Sequence, residues 1–534
     1  MIFNKKKKLE AIRSRWGKPI ERFRNLDLIS VYHDIISKYD DGNYVDKKTW
    51  SDLNFDSIFS LMDRNTSAIG QQYLYHLMHK YERDENILRQ RFELIKLLQN
   101  NNELREEIQL PLARLNETNA YFVPNVILNG SLPYSKYYRW FYLFGYLPVV
   151  LFMLIFYNGI FLFAALGSLA VNIVLNQIFS RRIYEYFSGF AGINTLIIAA
   201  KCLAAIKSDL PIEDLKVLCS KKNLLSKLGK KFSYLVMDKE TMNELIASAV
   251  EYANMIFLYD IIAYYRSVNL LLKSQASIHE VYKAVANLDL CISLASYLEE
   301  TQYYSNPIFI DQRKIEFEEM YHPLIENAVS NSLDDISKSI LVTGSNMSGK
   351  TTFIKTAGIN IVLSQTLYFC LAKKLVCPKY CVKAAIKREE DLEEGKSYFF
   401  VEVEELQHFL ELSEKGGRYV FFIDEIFRGT NTIERLAAST AVLKELNKQS
   451  IAFVTTHDIE LQELLCGSYE MIHFSEQVEG SNYYFDYKIR KGPCSSGNAI
   501  KLLEIKNYPK NIIDEATDIV RNLLTNGAII TNKD

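Results

Sequence analysis

Hydrophobic and polar positions alternate along most of this chain, but the alternation stops in "WFYLFGYLPVVLFMLIFYNGIFLFAALGSLAVNIVLNQIFS", residues 140–180. The stretch holds no Asp, Glu, Lys or Arg, although these make up 24% of the sequence. Asn158-Gly159 is a turn dipeptide and divides it. Residues 140–157 and 160 to about 177 then read as two helices of about 27 Å each, close to the hydrocarbon thickness of a bilayer. Tyr137, Tyr138, Trp140 and Tyr142 crowd the entrance, as aromatics do at a membrane interface. Lys136 and Arg139 on one flank, with Arg181 and Arg182 on the other, predict a transmembrane hairpin with both ends cytoplasmic. The alternative is a pair of core helices in a soluble bundle. Core helices usually keep a polar stripe. The first half has none, and the second has only Ser168, Asn172 and Asn176, spaced to face a neighbouring helix.

Either side of this stretch the periods are ordinary. Ser67 is an N-cap signal, and Ile69, Tyr73, Leu77 with Leu74 and Met78 follow at helical spacing. Residues 183–310 read as a return through long helices. The second half changes period: short apolar runs at 340–342, 419–423 and 451–454 read as buried strands between helical patterns, an α/β arrangement. Residues 512–524 close the chain as an amphipathic stretch.

Composition narrows the classes. A chain of 534 residues holds about two to four domains, and 49% apolar residues exclude general disorder. The net charge of -2 gives no bulk sign of nucleic-acid binding. The eight cysteines lack framework spacing. Cys377 and Cys381 form a lone C-x-x-x-C, so reduced cytosolic thiols are expected rather than a metal site. "MIFNKKKKLEAIRSRW" is basic but has no apolar segment behind it, so no secretory signal is expected. "SKKNLLSKLGKKF", residues 220–232, reads as a solvated basic face, with anionic lipid or nucleic acid as the alternative.

The chemistry sits at the ends of the predicted strands. "ILVTGSNMSGKTTF" joins an apolar strand to a helical pattern through Gly344-x-x-x-x-Gly349-Lys350-Thr351, the P-loop pattern. Such a loop turns backbone N–H groups toward phosphate oxygens, which side chains would obstruct, so glycines sit at its ends. Gly344, Ser345, Asn346, Met347, Ser348, Gly349, Lys350, Thr351 and Thr352 are therefore the expected ATP-binding residues. Lys350 faces the β- and γ-phosphates, and the Thr351 hydroxyl ligates Mg²⁺. The strand at 419–423 ends in Asp424-Glu425: Asp424 suits the Mg²⁺ shell and Glu425 is placed to polarise the attacking water. The strand at 451–454 ends near His457, expected at the γ-phosphate and the water; a structural histidine is the plainer reading.

Five segments in this order, "TGSNMSGKTT", "EDLEEGKSYFFVEVEEL", "FIDEIFRGTNTIERLA", "VTTHDIEL" and "GPCSSGNAIKLLEIKNYP", resemble the ATPase domain of the MutS mismatch-repair family. Asn346-Met347 and Asp424-Glu425-Ile426-x-Arg428-Gly429-Thr430 are characteristic; Phe427 stands where the family pattern has Gly. "MYHPLIENAV", with His322-Pro323, resembles the segment leading into that domain, and the likeness covers roughly residues 311–525. "LMDRNTSAIGQQYL", with Asp63-Arg64 and Gly70, more weakly resembles the start of the family's helical core, as scaffold. The resemblance implies a homodimer through head-to-tail ATPase domains, with Ser397 of "EEGKSYFF" reaching the other subunit's nucleotide; a helix cap is the alternative for Ser397.

It also implies DNA as a ligand. However, only about 50 residues precede the core-like segment, too few for a mismatch-reading domain, and the apolar stretch falls where a DNA clamp would interrupt the core. Mismatch specificity is therefore not expected. The expected layout is a helical, MutS core-like region (1–135), a transmembrane hairpin (136–182), a helical lever region (183–310) and a MutS-type P-loop ATPase domain (311–534). The expected function is a membrane-anchored dimeric ATPase whose cycle moves helical levers in a DNA transaction, with ATP and Mg²⁺ as cofactors and lipid as a partner. The alternative is an ABC-class mechanotransmission or transport ATPase without DNA, against which the missing "LSGGQ" signature speaks.

Overall fold

A computed structural model describes the chain except residues 1, 41, 129–131, 133–137, 208–209, 233–243, 346–347, 387–397, 428–430, 480–481, 495–499, 501–502, 504–507 and 526–534. It divides into two compact units: residues 1–44, 59–80 and 84–301 form the first, and 45–58, 81–83 and 302–534 the second.

The first unit is helical. Helix Ala68–His79 packs between helices Leu26–Ile36 and Tyr259–Glu300. Ser67 caps it by accepting from the Gly70 N–H at 3.0 Å. Two buried carboxylates lock this corner. Asp63 accepts from Arg22 (2.7 and 2.8 Å), Arg24 (2.8 Å) and Gln71 (2.7 Å). Asp289 accepts from the Thr66 and Ser67 N–H groups and the Ser67 hydroxyl, at 3.0, 2.7 and 2.5 Å. Gly70 has to be glycine because any Cβ would overlap the Asp289 carboxylate. The motif residues Asp63, Arg64 and Gly70 thus serve packing.

The uncharged stretch forms two antiparallel helices, Trp140–Leu154 and Ile160–Leu203, with the turn between them at Asn158-Gly159. The Asn158 side chain accepts from the Ile160 N–H at 3.0 Å and starts the second helix. That helix does not stop near residue 177 but runs 44 residues to Leu203, because Arg181 and Arg182 end the apolar run without breaking the helix. Its segment Ile160–Phe179 is the one span, among the described residues, long and apolar enough to cross a membrane, and only 11% of its apolar window is buried. The first helix is 15 residues long. Phe156 is 92% exposed and Phe163 75%, so the hairpin tip is not the core of this unit. Of the three polar residues, Asn172 faces a neighbour, donating to the carbonyls of Phe144 (2.9 Å) and Ile256 (2.7 Å). Ser168 instead bonds Ala165 O in its own helix, at 2.8 Å.

The second unit is α/β. Its strands are β1 (Ile308–Phe309), β2 (Ile315–Met320), β3 (Asn331–Ile336), β4 (Ser339–Thr343), β5 (Lys374–Cys377), β6 (Cys381–Ala385), β7 (Tyr419–Asp424), β8 (Ile451–Thr455), β9 (Tyr469–Glu479) and β10 (Asn482–Lys491). Six form a sheet of order β10-β9-β4-β8-β7-β6, parallel except for β10; a smaller sheet has the order β1-β5-β2-β3. β4, β7 and β8 are the three strands expected from the apolar runs. β4 and β8 are buried throughout, as central parallel strands must be.

Edge strand β6 has its outward N–H groups satisfied by distant side chains. Those of Val382, Ala384 and Ile386, two residues apart, donate to the Tyr81 hydroxyl (3.1 Å), the Thr49 hydroxyl (3.2 Å) and the Asp52 carboxylate (2.7 Å). Lys383 adds an ion pair to Asp46 at 2.9 Å. Short helix Lys47–Asp52, capped by Asp46, thus covers an edge that would otherwise be open for pairing.

Candidate functional site

Buried β4 ends at Thr343, and the chain turns through Gly344, φ +141°, and Gly349, φ +102°, into helix Lys350–Thr366. Both angles are in the region that favours glycine. A Cβ on Gly344 would lie 2.7 Å from Phe474 O, so the turn can close only without one. Ser348 Oγ ties the loop by donating to Ser345 O at 2.9 Å. Asn346 and Met347, and the signature residue Ser397, lie outside the described residues, as do Arg428, Gly429 and Thr430.

Lys350, 5% exposed, directs its ammonium into the loop, donating to Gly344 O (2.8 Å) and Ser345 O (2.7 Å). Thr351, one residue on, donates to Asp424 at the end of β7, at 3.1 and 3.0 Å to the two oxygens. Thr455, at the end of β8, donates to the same carboxylate. Parallel pairing puts Asp424 beside Thr455 in register, so adjacent strand ends deliver the acid and its second hydroxyl to one point.

Glu425 follows Asp424 with φ +59°, and Phe427 has φ +56°; non-glycine residues avoid this region. Three hydrogen bonds hold the loop there. The Glu425 N–H donates to Thr455 O (3.1 Å) and Thr455 Oγ1 (3.2 Å), and the Phe427 N–H donates to the Glu402 carboxylate (2.5 Å). The Glu425 carboxylate then reaches His457 Nε2 at 2.7 Å, and that nitrogen lies 3.3 Å from the Lys350 ammonium. With its proton on Nε2 the ring donates to Glu425; with Nε2 bare it accepts from Lys350.

A cavity of about 670 Å³ opens over these groups, lined by Ser345, Gly349, Lys350, Thr351, Thr352 and Glu425. His322, Phe474 and Tyr487 also line it. Burial lowers the His322 imidazole to about 4, so it is neutral at pH 7. The loop fits a phosphate chain on two counts. Its carbonyl-bound ammonium is available as a phosphate ligand, and Ser345 Oγ is buried without a hydrogen-bond partner among the described residues. Thr351 and Asp424 present the hard oxygen donors that suit Mg²⁺.

Sequence reading named Lys350, Thr351, Asp424, Glu425 and His457, which the fold brings together. It missed Thr455, which holds both Asp424 and Glu425, and Glu402, which holds the Phe427 N–H two positions on. Thr455 had a signal, standing at the strand end next to Thr456-His457. Glu402 had none, since its partner is 25 residues away.

Residues 340–524 match the family model of MutS domain V. DNA mismatch repair protein MutS of Thermus thermophilus is 28% identical over 249 residues, covering 46% of this chain and 30% of the relative. That of Lactobacillus acidophilus is 29% identical over 259 residues, with the same coverage, and that of Listeria monocytogenes 27% over 260. The match thus spans about 30% of the length of these relatives. The C-terminal part of this chain is thus similar to domain V of the MutS family.

Proposed function

We propose that the chain is a membrane-anchored, homodimeric ATP hydrolase of the MutS type that acts in a DNA transaction. The observation that carries the hydrolase reading is the meeting of Lys350, Thr351, Asp424, Glu425 and His457 at one glycine-framed loop. The loop's N–H groups and Lys350 bind the phosphates of ATP. Thr351 and Asp424 would hold Mg²⁺, which when bound neutralises charge on the β- and γ-phosphates. Glu425 orients the attacking water and takes its proton, and His457 fixes the Glu425 carboxylate. Ser397, carried to the partner's nucleotide, completes each site in trans. The exposed apolar hairpin supports the anchor: Ile160–Phe179 gives about 30 Å of helix, one bilayer core.

Glu425→Ala is expected to leave ATP binding nearly intact while turnover falls about 10²-fold or more; wild-type turnover in the purified variant refutes the role. A Ser397→Ala protein mixed with a Lys350→Ala protein should recover activity, because each mixed dimer keeps one native site. Extraction with alkaline carbonate should leave the chain in the membrane fraction. The exposed hairpin tip favours a second reading, a membrane ATPase without DNA. Salt-sensitive binding of duplex DNA by the detergent-solubilised protein decides between the two.

A further inference from the structure

Helix Glu244–Phe257 ends at Leu258, a buried residue with φ +53°, and helix Tyr259–Glu300 starts at once in a new direction. No glycine or proline marks this elbow; the hairpin holds it. Asn172 takes up the carbonyl of Ile256, at the bend, together with that of Phe144, so neither is left unpaired in apolar surroundings. Gly145 of the hairpin lets the Phe257 carbonyl approach where any Cβ would overlap it. Further along, the ring of Phe141 meets those of Phe179 (5.1 Å) and Tyr265 (5.7 Å). Phe141 is in the first turn of the hairpin and Phe179 ends its apolar span. Tyr265 and Arg266 are thus level with the hairpin mouth, and the elbow is about 10 Å further toward the tip, at 1.5 Å per residue.

Between elbow and hairpin is a cavity of about 530 Å³, lined by Tyr142, Tyr146, Asn254, Phe257, Tyr259 and Arg266 among others. Its wall is mainly apolar and aromatic, and its cation, Arg266, is at the mouth end. Arg266 makes no ion pair or hydrogen bond among the described residues. The acid nearest to it on the same helix, Asp260, accepts instead from Asn254 at 2.9 Å.

We propose that this cavity binds one anionic phospholipid drawn from the bilayer, with its phosphate on Arg266 and the start of its acyl chains along Tyr146, Phe257 and Tyr259. The site rests on the membrane reading of the hairpin, which puts Arg266 at headgroup depth and the apolar wall below it. Charge selects the headgroup. Arg266 has no acidic partner among the described residues, so an anionic lipid neutralises it. A zwitterionic head brings its own cation and leaves the charge standing. The guanidinium suits a phosphodiester because it offers two parallel N–H donors.

The test uses the full chain purified in detergent and stripped of lipid, titrated with dioctanoyl phosphatidylglycerol and read by native mass spectrometry. One lipid per chain should be retained. Phosphatidylcholine should bind at least tenfold more weakly, and glycerol 3-phosphate, which has the phosphate without the chains, should not bind. Arg266→Gln should lose at least tenfold in phosphatidylglycerol affinity. Ala263→Trp, which fills the cavity from its wall, should lose retention while keeping the charge. Equal retention by wild type and both variants overturns the proposal, as does equal binding of the two lipids. Membrane fractionation of the wild type is read separately. A wild type that is soluble without detergent refutes the anchor, and the lipid site then stands or falls on the Arg266 dependence alone.

Discussion

Phe427 sets two large effects against each other in the loop after Glu425, and a pair of substitutions separates them. The ring is 5% exposed and packs against Phe399, with centroids 5.9 Å apart, in the core under β7. Its backbone is left-handed at φ +56°. Removing the ring costs about 3–5 kcal/mol by the usual scale for buried aromatics. Relief of backbone strain returns about 1–2 kcal/mol, and only if the Cβ is removed too. Burial therefore wins, and both Phe427→Ala and Phe427→Gly destabilise the α/β unit. The two variants share the ring loss and differ in the Cβ. Glycine escapes the strain but has the more flexible unfolded chain, which offsets about 0.5–1 kcal/mol. The net expectation is that Phe427→Gly is the more stable of the pair by about 0.5–1 kcal/mol. Hydrogen exchange of residues 419–424 in the full-length protein, read by mass spectrometry, reports on this unit alone. Exchange should be about two- to fivefold slower in Phe427→Gly than in Phe427→Ala. Equal exchange, or a more stable alanine variant, would show that residue 427 is not held left-handed and that the loop geometry around Glu425 is wrong.

Asp63→Ala strips the shared partner from Arg22 and Arg24 and should destabilise the helical unit by about 3–5 kcal/mol, measured as faster exchange in helix Ala68–His79. Glu405, on helix Tyr398–Glu414, is raised to about 7 by burial, with the carboxylates of Asp52, Asp46 and Glu402 adding to it against the pull of Lys48. Its folded state holds a proton that the unfolded chain releases near pH 4.5, so ionisation costs stability as pH rises from about 4.5 through 7. Glu405→Gln, which mimics the protonated acid, should therefore match wild type at pH 4.5 and melt higher at pH 8, by about 1–2 kcal/mol after allowance for solvent screening. A gain that is largest at low pH would reverse the assignment.

What could be read in advance divides along sequence distance. The glycine-framed turn was legible because its parts are contiguous: a strand, two glycines with six positions for one turn, and a helix. The carboxylates followed because a parallel strand delivers its last residue to the same edge of the sheet. The covering of β6 was not legible, since its side-chain to backbone bonds join residues more than 300 positions apart. Nor was the elbow at Leu258, because a leucine in the left-handed region has no local preference for it and the bend is imposed by Asn172 and Gly145. The hairpin turn was legible from Asn158-Gly159; the continuation to Leu203 was not, because loss of hydrophobicity at Arg181 and Arg182 is no signal that a helix ends.

The strained loop also ties Glu425 mechanically to helix Tyr398–Glu414. Glu425 and Phe427, both left-handed, flank Ile426, which is buried. A loop with two such residues holds its shape only while its neighbours hold it. One set of neighbours is rigid: Thr455, at the end of a fully buried central strand, fixes the Glu425 N–H twice. The other set is the first turns of helix Tyr398–Glu414, through the Glu402 carboxylate on the Phe427 N–H and the ring of Phe399. Ser397 is the residue immediately before that helix. Under the proposed in-trans role, any shift of Ser397 toward a partner's nucleotide moves Phe399 two positions away and Glu402 five. Phe427 must follow or lose its bond, while Thr455 keeps the Glu425 end still. The carboxylate at residue 425 is thus set by two anchors, and only one of them is free to respond to assembly.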